Sequence, residues 1–142
     1  MTGWQIKFKD AQNGHVSGIT FEDIDIMQPH QYAIGIDQNG QSIQDDATLT
    51  RFPGGQRHAS NVTINDVLFQ RVRATLAKRT KSHPKLHDIS YGGLFTCNPG
   101  RLACRRINFV DVTLSGIGTE CVFENTFGVG SQVHPASCVP PA

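Results

Sequence analysis

His83 and His87, in the run His83-Pro84-Lys85-Leu86-His87, have the spacing with which one helix face can hold a metal ion. Pro84 lies between them, where it would break the helix, and no nearby cysteine or acidic pair completes a ligand set. No metal or other cofactor is therefore expected. A serine hydrolase needs its nucleophile on a strand-to-helix turn, and the chain contains no G-x-S-x-G. The basic residues are more informative. Six of the thirteen lysines and arginines, Arg71, Arg73, Lys78, Arg79, Lys81 and Lys85, fall between positions 71 and 85. Such a cluster is either a solvated loop or a contact surface for a polyanion. The whole chain carries a formal net charge of only +1, which argues against a generic nucleic-acid binder.

Cys97, Cys104, Cys121 and Cys138 all lie in the last third of the chain, with no C-x-x-C among them. An even set of this kind points to disulfides and so to an oxidising, extracellular setting. Three connectivities are open. The sequential one, Cys97 to Cys104 and Cys121 to Cys138, closes two short loops, each bridge contributing roughly 2–4 kcal/mol by restricting the unfolded chain. Asn61-Val62-Thr63 is an N-glycosylation sequon and agrees with secretion. The opening MTGWQIKFKD has no apolar core of signal-peptide length, and no segment could span a membrane. A secreted protein whose sequence shows no leader is expected to have further chain before Met1.

The elements that must position these residues are strands. Only 8% of the chain is aromatic and 18% charged, with many glycines and β-formers, which favours short strands and tight turns over helices. Val16 to Ile26, VSGITFEDIDI, alternates apolar and polar residues. Gly18–Ile26, Asn61–Phe69 and Arg106–Leu114 align as three copies of one pattern, with an aspartate sixth in each: Asp23, Asp66 and Asp111. Their separations, 43 and 45 residues by subtraction, are long enough for more than one strand per period. The alignment predicts that the three aspartates are equivalent in successive turns. Inward positions are expected at Ile19, Phe21, Val62, Ile64, Ile107 and Phe109. Phe69, Val72, Leu76 and Ala77 recur at helical spacing, yet the β-branched Val72 and Thr75 favour an irregular excursion. Excursions are expected over 40–58 and 71–88, and a disulfide-tied tail over 121–142, within one domain spanning 1–142.

Several segments, taken in order, carry a family resemblance. Gly3–Lys7 (GWQIK), VSGITFEDIDI, Ile34–Gln38 (IGIDQ), Cys97 with Cys104–Phe109 (CRRINF), Cys121–Asn125 (CVFEN) and Val133–Cys138 (VHPASC) resemble the C-terminal part of polygalacturonases, the family 28 glycoside hydrolases. The resemblance implies an all-β fold, a right-handed single-stranded parallel β-helix, here the C-terminal part of a longer one. Stacked strands burying Ile and Val, with a long period, agree with it. The sequential disulfide pairing is expected within this fold.

The resemblance also implies a chemistry. Family members hydrolyse α-1,4-linked galacturonan with inversion, one carboxylic acid protonating the leaving oxygen and a carboxylate activating water. These groups come from an Asn-Thr-Asp segment and an Asp-Asp pair, followed by Gly-His-Gly and then Arg-Ile-Lys. Only the last has a counterpart, Gln5-Ile6-Lys7. Asp45-Asp46 and Gly14-His15 follow Lys7 in the chain rather than preceding it, and so read as turn residues, not as catalytic ones. No catalytic residue is expected in this chain. Lys7 matches the lysine that binds a substrate carboxylate, whereas Gln5 replaces the arginine beside it, removing a charge and a bidentate donor. The tyrosine usual after Ile-x-Ile-x-Gln is absent too, Gln38 being followed by Asn39-Gly40. The implied partner is an acidic, galacturonan-like polysaccharide, with a preceding β-helix segment in the same protein or on a partner chain. An alternative is a non-enzymatic β-solenoid that binds such a polymer through residues 71–85.

Overall fold

A computed structural model describes residues 3–8, 13–29, 32–38, 60–76 and 91–142 of the chain. Among these residues eight strands follow one another: β1 (Trp4–Lys7), β2 (Asn13–Met27), β3 (Ile34–Asp37), β4 (Asn61–Leu76), β5 (Gly93–Thr96), β6 (Arg105–Gly116), β7 (Cys121–Glu124) and β8 (Gly130–His134). Odd-numbered strands form one sheet, in the order β1-β3-β5-β7, and even-numbered strands the other, β2-β4-β6-β8. Every pairing is parallel. The chain therefore winds through four coils, each adding one short strand to the first sheet and one longer strand to the second. This is a parallel β-helix.

The long strands are bent twice. Gly18, Asp66 and Arg106 have left-handed φ, as do Asp23, Arg71 and Asp111, five residues further along each strand. A left-handed residue redirects the side-chain alternation, so apolar residues on either side of the bend can both face inward. The register runs Ile19–Val67–Ile107 and Ile24–Val72–Val112. Asp23 therefore stacks on Arg71 and Asp111, while Asp66 lies between Gly18 and Arg106. The three aspartates are not equivalent, correcting the sequence alignment. Its outer copies are in register with one another, but the middle copy is displaced by one bend. Because each strand has two bends flanked by apolar residues, an alignment anchored on aspartate matched Asp66 to the wrong one.

Two further expectations are revised. Arg71–Leu76 lie within β4, so residues 71–76 belong neither to an excursion nor to a helix; Val72 and Thr75 behave as β-formers. Residues 121–134 form a fourth coil through β7 and β8, which leaves the tail only the residues after His134. The segment 40–58 lies outside the described residues.

The core runs between the sheets as stacks of like side chains. Ile6, Ile36, Phe95 and Phe123 are in register on one side, and Phe21, Phe69 and Phe109 on the other. Phe21 and Phe69 lie parallel with ring centroids 4.9 Å apart, and Phe95 and Phe123 repeat that distance. Phe69 meets Phe95 edge-on across the interior at 5.8 Å. Each fully buried side chain of this size stabilises by about 1.5–3 kcal/mol. Val62, Ile64, Ile107 and Phe109 are buried as expected, whereas Ile19 and Phe21 are half-buried against the core, because β2 is the outermost strand of its sheet.

Candidate functional site

Alternation along β1 sends Ile6 into the core and Gln5 and Lys7 to the opposite face. Register then extends two rows across that face: Lys7 with Asp37, Thr96 and Glu124, and Gln5 with Gly35, Leu94 and Val122. Lys7 is exposed and has no ion-pair partner among the described residues. Asp37 and Thr96 are buried, Thr96 donating its hydroxyl to the Ile36 carbonyl at 3.5 Å. Glu124 is exposed at the far end of the row.

Gln5 is held by a residue that sequence reasoning did not single out. The Tyr32 hydroxyl donates to Gln5 Oε1. Tyr32 itself is buried, its ring covering Gly35, where an added Cβ would come within 2.7 Å of Tyr32 Cε2. Burial, and secondarily the negative charge of Asp37, push the phenol pKa up, so the hydroxyl remains a proton donor. Tyr32 precedes β3, whereas the tyrosine usual in the family would follow Gln38. The bond links residues 27 apart, a distance over which no local pattern signals contact.

Gln38 is structural. Fully buried, it donates through Nε2 to the carbonyls of Val62 at 2.6 Å and Leu102 at 2.8 Å, and accepts the Asn98 N–H at 2.5 Å. One side chain thereby ties the end of β3 to the start of β4 and to the segment joining β5 and β6. That segment is closed by a Cys97–Cys104 disulfide, and a second bridge joins Cys121 to Cys138.

The basic cluster divides. Arg71 donates from Nε to Asp23 at 2.5 Å and from its terminal nitrogen to Glu22 at 3.2 Å. Arg73 donates to the Asp111 carboxylate and carbonyl, both at 2.8 Å. Arg106, one bend away, pairs with Asp66. Hydrogen bonding to Arg71 and Arg106 holds the Asp23 and Asp66 carboxyls below their ordinary pKa. Any polyanion approaching Arg71 or Arg73 would compete with these carboxylates. Lys78, Arg79, Lys81, Lys85, Asp45, Asp46, His83 and His87 lie outside the described residues. Gly14 and His15 belong to β2 rather than to a turn, with His15 Nδ1 2.6 Å from Thr63 Oγ1. Asn61, first residue of β4, is exposed, as a glycan attachment point must be.

Among the described residues no group of three or more His, Cys, Asp or Glu side chains could hold a metal ion. The β1 end of the face offers an ammonium without an ion-pair partner among the described residues, beside an oriented amide, a combination that can grip a carboxylate and an adjacent hydroxyl. The family model described as glycosyl hydrolases family 28 matches residues 1–125. No curated protein and no solved structure matches the chain.

Proposed function

The chain belongs to glycosyl hydrolase family 28, and from that premise we propose that it takes part in hydrolysis of galacturonan-type polysaccharide outside the cell, contributing substrate binding. The observation that carries this reading is Lys7: an exposed ammonium without an ion-pair partner among the described residues, on the outward face of β1. Acid and base are supplied by chain stacked against β1 and β2. In support, Val16, Ile19, Phe21 and Ile24 are only partly buried on that side, and Trp4 is 52% exposed. The two disulfides agree with an extracellular setting.

Binding by a non-enzymatic solenoid through residues 71–85 has less support, since Arg71 and Arg73 already hold carboxylates. Titration of the purified chain with galacturonate oligomers tests the reading. Binding is expected to be weak, salt-sensitive and reduced roughly tenfold by Lys7→Ala, the scale of one charged hydrogen bond; binding that ignores Lys7→Ala overturns it. With general acid and base each typically worth about 10²–10⁴-fold, a reducing-sugar assay on the chain alone is expected to show no hydrolysis. Activity abolished by Asp45→Asn or Asp46→Asn would instead make that pair catalytic.

A further inference from the structure

We infer that the position beside Lys7 accepts an uncharged sugar, so that the preferred ligand is partly methyl-esterified galacturonan rather than the fully acidic polymer. The inference rests on the binding role proposed above for this face. It starts from Gln5, the outward neighbour of Lys7 two residues along β1. An amide can present either its oxygen or its nitrogen to a ligand, and here the Tyr32 hydroxyl, donating to the oxygen, fixes which way the amide is turned. Tyr32 cannot easily turn away, because it is buried and its ring lies against Gly35. Nor does it ionise at neutral pH, since burial pushes its pKa up.

Gln5 is thereby left to offer its NH₂ group: two donors and no charge. An ester carbonyl accepts such donors as a carboxylate does, but without the added attraction a cation gives an anion. The other described residues of the two rows add no exposed positive charge. Along the Lys7 row, Asp37 and Thr96 are buried and the exposed end is Glu124, a carboxylate; along the Gln5 row come Gly35, Leu94 and Val122. One cation serves one free carboxylate, and a second free carboxylate next to it would lose its hydration for only neutral donors. Tyr32 is a positioning residue, acting through Gln5.

The test compares binding of two oligogalacturonates of equal length, one fully de-esterified and one carrying methyl esters on about half of its residues, to the unmodified chain. The partly esterified ligand is expected to bind more tightly. Gln5→Arg should shift the ratio of affinities about fivefold to tenfold toward the acidic ligand, the difference between a neutral and a charged hydrogen bond. Tyr32→Phe keeps the ring over Gly35 and frees the amide to rotate, so the ratio should fall toward one, a change that loss of packing alone would not produce. Preference for the acidic ligand in the unmodified chain, or a ratio unmoved by both substitutions, overturns the inference while leaving the binding role intact. Failure of both ligands to bind overturns the binding role itself, and the inference with it.

Discussion

The two sheets of one coil solve different problems. In β3 and β5 every residue is buried, on both faces, and polar groups in and just beyond them are held by buried bonds, such as those of Thr96 and of Gln38 after β3. In β4 burial alternates, and the solvated face carries ion pairs between successive coils: Arg71 with Asp23, Arg73 with Asp111, Arg106 with Asp66. Charges that find partners across the register cannot also serve a ligand without losing them. Lys7, on the other sheet, has no such partner among the described residues, and this asymmetry is the reason the binding role is proposed for the short strands.

The comparison can be broken most forcefully at the core both sheets share. Phe69 touches Phe21, Phe109 and, from the opposite sheet, Phe95, so Phe69→Ala should cost about 3–5 kcal/mol in chemical denaturation. Next comes the Cys121–Cys138 bridge, which spans 17 residues; replacing both with serine should cost about 2–4 kcal/mol, read from the same midpoint under oxidising conditions. On the short-strand face, Gly35→Ala inserts a methyl 2.5 Å from the Leu94 carbonyl oxygen and 2.7 Å from the Tyr32 ring, and should cost about 1–3 kcal/mol, together with a change in ligand preference. The smallest effect belongs to the solvated face. The Asp23 and Asp66 carboxyls have folded pKa values below 3.8, so their contribution is present above that value and lost as pH falls through the lower folded one. Asp66→Asn should therefore lower Tm slightly at neutral pH, and the gap from the unmodified chain should close well below pH 3.8. A gap that persists in acid would show that Asp66 does not act through its charge.

Much of this architecture is legible in the sequence, and the failures have physical causes. Alternation in VSGITFEDIDI reveals strands, and the spacing of its copies reveals coils. The middle copy misleads because residue type does not tell one bend from the other: aspartate tolerates left-handed φ, but Arg71 and Arg106 adopt it too. Once Asp66 is taken for the second bend, the pairing of Arg71 with Asp23 is hidden, and the arginines read as an unattached basic cluster. The Gln5–Tyr32 contact was beyond reach for a different reason. It joins residues from successive coils, and only the register of β1 on β3 brings Tyr32 and Gly35 to Gln5.

The last coil carries one further consequence. After β8 the chain turns back on itself: Cys138 is tied to Cys121, Pro140 is buried, and the Pro141 carbonyl accepts the Gly128 N–H. Pro135, Pro140 and Pro141 have no N–H of their own to offer. Stacked parallel strands are a template on which further strands can add, the geometry by which fibrils grow. The strapped, proline-rich segment packs on β7 and β8 and obstructs such growth on their side.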